Sequence, residues 1–173
     1  MFTNKEWVME QAESTDGFMT PSELNWLYDH ACGQSVEIGS YKGRSATAIG
    51  LKLKVAGGQL TCIDLWGWDW VYDEFQENMK RSKLKVHIMR MNSIDAAKSF
   101  KEQSLDFIFI DSSHEYEDTV AEIKAWLPRL KSGSLLCGHD YLHPDYPGVE
   151  QAANELCPGY ENPVDSIWTY KKP

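Results

Sequence analysis

Four short runs of this 173-residue chain are almost wholly apolar: "VEIG" from Val36, "LTCIDLW" from Leu60, "LDFIFID" from Leu105 and "LLCGHDY" from Leu135. Each ends on a glycine turn or a polar group. Runs of this length read as strands, and LDFIFID, apolar without alternation, reads as a strand buried on both faces. "KVHIMRM" alternates and adds another strand, third in chain order. The intervening segments have helical character: "GRSATAIGLKLKV", "DEFQENMKRSKL", "SIDAAKSFKEQ" with Ser93 as its N-cap, and "YEDTVAEIKAWLPRL". In the last of these, Val120, Ile123, Ala125, Trp126 and Leu127 make an apolar stripe, and "KSGS" ends it. "PSELNWLYDHAC", with Pro21 in its first turn, predicts a helix ahead of the first strand, and "GVEQAANEL" a short one after the fifth. The tail "GYENPVDSIWTYKKP" supplies one or two final strands. Strands alternating with helices dictate an α/β fold, a parallel sheet with helices on both faces and right-handed crossovers.

In such sheets ligands bind beyond the carboxyl ends of the strands. The first tip offers Glu37, Gly39, Ser40 and Tyr41. The second offers Asp64, Leu65 and Trp66, and the third Asn92 and Ser93. The fourth offers Asp111, Ser112, Ser113 and His114, and the fifth His139, Asp140 and Tyr141. The glycine turn lets the backbone approach a ligand and exposes amides at a helix N-terminus, which suits a phosphate or a carboxylate. Its G-x-x-x-G spacing lacks the third glycine of the dinucleotide fingerprint and is no Walker loop. Asp64 can accept both hydroxyls of a ribose or serve as a cap. Trp66, Trp68 and Trp70 can wall a ligand site or form a surface-covering flap.

At this length the chain is expected to form one domain, with residues 1–33 a helical N-terminal segment and 34–173 the sheet core. A formal net charge of -9 argues against a broad grip on nucleic acid or anionic membrane and favours a small-molecule partner. The four cysteines have no metal-like spacing; Cys62 and Cys137 fall in strand-like runs and read as core thiols in a reducing compartment. With neither a secretory leader pattern nor a membrane-length apolar run, a cytoplasmic location is expected. An apolar helix face can serve the core or a homodimer interface.

"VEIGSYKGRSATAIG", "CIDLW", "FIFIDSSHEYEDTVAEIKAWLPRLKSGSLLCGHDY" and "GVEQAANEL" together resemble the class I S-adenosylmethionine-dependent methyltransferases. The resemblance is to the methyltransferase 24 family, related to the macrolide-sugar and catechol O-methyltransferases, and runs from about Ser35 to Leu156. It implies a Rossmann-like, mostly parallel seven-stranded sheet whose last strand is antiparallel, with S-adenosylmethionine as cofactor. It implies that Glu37 helps to build the methionine end of the cofactor site. It further implies that Gly39 to Tyr41 wrap the cofactor, Asp64 holds the ribose and Ser93 lies near the adenine. Ser45, Leu65, Trp66 and Asp111 complete the expected cofactor residues, and Tyr41 and Trp66 are expected pocket walls.

The resemblance also implies a divalent-metal site, for Mg²⁺ or Mn²⁺, at Asp111, His139 and Asp140. His139 stands where metal-binding relatives usually carry an acid, and imidazole suits Mn²⁺, Fe²⁺ or Zn²⁺ better than Mg²⁺. His114 matches the histidine proposed as general base in the sugar-modifying relatives, with Asp111 beside it, and a neutral imidazole can take a hydroxyl proton near pH 7. The reading is therefore O-methylation of a small-molecule acceptor. Two alternatives stay open: a non-catalytic S-adenosylmethionine-binding accessory domain, and a nicotinamide-dependent oxidoreductase.

Overall fold

The computed structural model describes residues 4–173. In chain order the elements are α1 (Lys5–Glu13), α2 (Pro21–His30), β1 (Gln34–Ile38), α3 (Arg44–Ala56), β2 (Gln59–Asp64), α4 (Asp69–Arg81), β3 (His87–Arg90), α5 (Ser93–Ala97) and β4 (Leu105–Ile110). Then follow α6 (Tyr116–Trp126), a 3₁₀ turn at Leu127–Arg129, β5 (Leu130–Gly138), α7 (Pro147–Leu156), β6 (Glu161–Val164) and β7 (Ile167–Lys171). The seven strands form one sheet in the order β3-β2-β1-β4-β5-β7-β6. β1 to β5 pair in parallel, and β7 runs antiparallel to both β5 and β6. This is the expected Rossmann-like arrangement, and the strand order reverses between β1 and β4, where a cleft can open.

Burial on both faces explains the unbroken apolar runs. Along β4, Phe107 and Phe109 enter one hydrophobic cluster, with Leu27, Ile49, Phe75 and Cys62. Ile108 and Ile110 enter the cluster on the opposite face, with Val36, Ile123, Trp126 and Trp168. Successive strand residues point to opposite faces, so a strand covered on both sides leaves few positions for polar residues. Cys62 and Cys137 are buried free thiols, as expected.

Several boundaries differ from the sequence reading. α5 is capped by Asn92, whose side chain accepts from the amides of Ile94 and Asp95, so Ser93 is not the N-cap but the first helical residue. α4 begins at Asp69, four residues before the expected start. "KSGS" does not end a helix but lies inside β5: Gly133, at φ 78°, donates to the Lys172 carbonyl beyond β7, so the kinked segment stays paired. α1, with Asn4 as its cap, gives the N-terminal segment a second helix.

One side chain makes three of the contacts that bind the N-terminal helices to the sheet layer. Arg44, the first residue of α3, donates from Nε to the Met19 carbonyl at 2.9 Å, and from Nη1 to the carbonyls of Glu13 at 2.8 Å and Thr15 at 2.7 Å. The α1–α2 connection is thereby fastened over the start of α3. Arg44→Ala leaves three carbonyls without their cationic donor and is expected to cost about 2–4 kcal/mol in urea denaturation, with Arg44→Lys recovering only part. An unchanged midpoint would contradict this anchoring.

Candidate active site

The carboxyl ends of β1, β2, β4 and β5 surround a cavity of about 600 Å³. Among the residues expected at a site, Gly39, Ser40, Tyr41, Ser45, Asp64, Leu65, Ser93, Asp111, His114, His139 and Asp140 line it. Glu37 and Trp66 do not. The cavity also draws in residues the sequence reading did not assign, including Phe18, Arg44, Glu122, His143 and Tyr146.

The β1 side of the floor is set by backbone geometry. Gly39 has φ 84°, and a Cβ there would run into the Asp111 carbonyl oxygen. The Gly39 amide donates to Ile63 O at 2.8 Å, and the Asp111 amide to Ile38 O at 2.7 Å. Three strand tips are therefore stitched at one point. Tyr41 follows at φ 44° and Trp66 at φ 40°, a region seldom used by residues with bulky side chains.

Asp64 holds both strained loops. One carboxylate oxygen accepts the Tyr41 amide at 2.8 Å, and the other accepts the Trp66 amide at 2.7 Å. The Trp66 indole Nε1–H then donates back to the Tyr41 carbonyl at 2.8 Å. Here the expectation for Trp66 is corrected. Its side chain is buried against Tyr72 and Phe75 and is not a cavity wall, because the left-handed turn sends the indole into the core. Trp68 and Trp70 are exposed and lie outside the cavity.

Opposite, ionisable groups alternate in sign. Glu23, buried on α2, faces His139 Nε2 at 3.1 Å through Oε1. His139 Nδ1 lies 3.3 Å from Asp140 Oδ1 and 3.7 Å from Asp111 Oδ1. His114 Nε2 lies 2.8 Å from Asp140 Oδ2 and 4.0 Å from Asp111 Oδ1. Burial opposes the charge on His139, but Asp140 and Glu23 outweigh it and push its pKa up to about 10. Asp111 and Asp140 raise His114 to about 9. Burial would raise Asp140, but the two imidazoles hold it well below the usual carboxylate range. Asp111 and Asp140 thus favour the protonated form of the His114 ring.

Potential ligand atoms of Asp111, His139 and Asp140 all lie within 4.8 Å of one another. Two carboxylates and one imidazole, converging on a cavity wall, fit a divalent cation of the Mn²⁺, Fe²⁺ or Zn²⁺ kind. The His114 ring stacks on Tyr146 at 4.2 Å, and His143 stacks on the same tyrosine at 4.5 Å. At the β3 side, Ser93 and Ser112 both donate to Glu122 Oε1 at 2.6 Å. Burial raises the pKa of Glu122, while the two serine hydroxyls oppose the rise.

Glu37 sits one layer behind the cavity. It is fully buried; Oε2 accepts from Ser40 Oγ at 2.6 Å and Oε1 has no partner. Burial pushes its pKa up to about 7, against the lowering effect of the Ser40 and Ser45 hydroxyls. The folded chain therefore retains a proton that the unfolded chain releases near 4.5, and stability falls as pH rises through that window. Glu37→Gln removes this loss: it is expected to stabilise by up to about 3 kcal/mol at pH 8 and by little at pH 4. Urea denaturation at both pH values checks it, and an equal effect at both would contradict the assignment.

The fold and the cavity can be set beside known proteins. The S-adenosylhomocysteine-bound methyltransferase PaMTH1 from Podospora anserina superposes with a TM-score of 0.72 at 15% identity, over 98% of this chain and 87% of that one. An O-methyltransferase from Bacillus cereus, in complex with S-adenosylhomocysteine, gives 0.69 at 18% identity, over 97% and 90%. CalS11, a TDP-rhamnose 3'-O-methyltransferase of calicheamicin biosynthesis, gives 0.68 at 12% identity, over 97% and 81%. These likenesses establish the fold. The methyltransferase-domain family Methyltransf_24 matches residues 36–141, which span β1 to the tip of β5 and so every strand that borders the cavity. The chain belongs to this family, within the class I S-adenosylmethionine-dependent methyltransferases.

Proposed function

We propose that the protein transfers a methyl group from S-adenosylmethionine to a hydroxyl of a small-molecule acceptor. The observation that carries this reading is one cavity that joins the Gly39 turn and Asp64 to the His114–Asp140 pair. The three neighbours described above, whose names record S-adenosylhomocysteine complexes or O-methyl transfer, support it.

Each group has a task its chemistry suits. The Gly39–Tyr41 backbone and the Ser45 hydroxyl meet the α-carboxylate and α-ammonium of the methionine moiety. Asp64 accepts the ribose hydroxyls on lone pairs left free by the two amides it already holds. Ser93 and Glu122 border the adenine. Glu37 acts from behind, holding Ser40 in place. Asp111, His139 and Asp140 would hold a divalent cation, and such an ion would polarise and orient the acceptor hydroxyl.

In the transfer, the acceptor oxygen attacks the methyl carbon in line, the carbon–sulfur bond breaks, and S-adenosylhomocysteine leaves as a neutral thioether. The hydroxyl proton goes to His114. A cation held by Asp111, His139 and Asp140 would compete for the two carboxylates that face His114 and so would favour the neutral, basic form of its ring. Tyr146 stacks on the ring and fixes its plane. The rest of the rate comes from holding oxygen, methyl and sulfur in register.

A panel of phenols and sugars, scored by S-adenosylhomocysteine release, is expected to give turnover with at least one hydroxyl-bearing compound. His114→Gln is then expected to lower kcat by about 10²–10⁴-fold while S-adenosylhomocysteine affinity holds. Turnover confined to amines or thiols, or an undiminished kcat in the variant, would contradict the reading.

A further inference from the structure

We infer that Glu23, on helix α2 and outside the 36–141 family match, is the positioning residue that turns His139 Nδ1 toward Asp111 and Asp140, ready for a divalent cation. The inference rests on the cation reading of that cluster.

Glu23 is placed for this by three other contacts. Its Oε2 accepts the Thr20 amide at 2.8 Å, closing a capping box in which Thr20 Oγ1 accepts the Glu23 amide at 3.2 Å. Its Oε1 accepts the Ser166 amide at 2.9 Å, in the turn between β6 and β7. The same Oε1 faces His139 Nε2 at 3.1 Å. A buried carboxylate held from two sides cannot swing away, and Glu23 is only 1% exposed. It presents an acceptor to Nε2, so that with a cation at Nδ1 the one remaining ring proton would stand on Nε2.

The other nitrogen then has no choice of direction. His139 Nδ1 looks at the two carboxylates, 3.3 Å from Asp140 and 3.7 Å from Asp111. A carboxylate on the far nitrogen fixes the tautomer and ring plane of a metal-binding histidine and raises its basicity. A capping-box glutamate needs none of this: the box is complete with Thr20 alone. The extra contact to the fifth strand tip is what a purely structural cap leaves unexplained.

The first test uses Zn²⁺ with ¹⁵N-histidine-labelled, otherwise unaltered protein and long-range ¹H–¹⁵N NMR. His139 is expected to carry its proton on Nε2 and to bind through Nδ1; the reverse pattern overturns the inference. The second test measures Mn²⁺ affinity and ¹⁴N coupling by electron paramagnetic resonance. Glu23→Gln is expected to weaken binding about 10–100-fold and to alter the nitrogen coupling. Thr20→Ala, which removes the hydroxyl half of the box but keeps the Thr20 amide that holds Glu23 Oε2, is expected to leave both unchanged. Equal affinity and coupling in Glu23→Gln, or an equal loss in Thr20→Ala, overturns the role of Glu23 while the cation site stands. Manganese bound without nitrogen coupling overturns it too, leaving a site made of carboxylates. No binding of Mn²⁺ or Zn²⁺ to the unaltered protein overturns the cation reading itself, and this inference with it.

Discussion

The cleft exists because β1 and β4 pass each other at Gly39 with no room for a side chain. The Asp111 carbonyl occupies the space where a Cβ would stand. This contact brings the tip carrying the glycine turn beside the tip carrying Asp111, while the Gly39 amide reaches across to β2. Crossover connections then leave the loops of β1 and β4 on opposite sides of the sheet, and the gap between them becomes the cavity. Asp64 extends the same stitching to the Tyr41 and Trp66 loops, so the floor is fixed before any ligand arrives. A preformed floor spares the ordering cost that a flexible loop would bring to binding.

The opposite wall is built from charge. Glu23, His139, Asp140 and His114 form a row of alternating sign, with Asp111 beside it. Buried charges are costly unless each is paired and hydrogen-bonded, and here each has a partner on either side or a backbone donor. The row spans α2, the tip of β5 and the loop after β4, which explains how a helix outside the family match comes to belong to the site. Neighbouring pairs share His139 or Asp140, so the protonation of one pair bears on the next.

Much of this was legible in the chain. The apolar runs fixed the parallel strands because strands buried on both faces tolerate almost no polar residue, and the polar tips located the cavity. Methyltransferase-family membership sets aside the nicotinamide-dependent alternative that the glycine turn had left open. Other features depend on tertiary placement. Asn92 and Ser93 are both good caps, and only the direction of the chain leaving β3 decides between them. Trp66 looked like a wall beside Asp64, but its positive φ turns the indole inward, and nothing local in "DLWGW" signals that turn. "TPSE" has the form of a capping box, yet the reach of Glu23 to His139 depends on α2 lying over the tip of β5. Glu122 lies off the apolar stripe of its helix, and only the fold brings Ser93, at the start of α5, and Ser112, after β4, to its carboxylate.

Calorimetric titration of metal-stripped protein with S-adenosylhomocysteine is the decisive measurement. A single site of micromolar Kd, about -8 kcal/mol, is expected, weakened at least about tenfold by Asp64→Asn, which keeps the size of the side chain but removes its charge. No saturable binding, or binding indifferent to Asp64, would contradict the cofactor cleft described above.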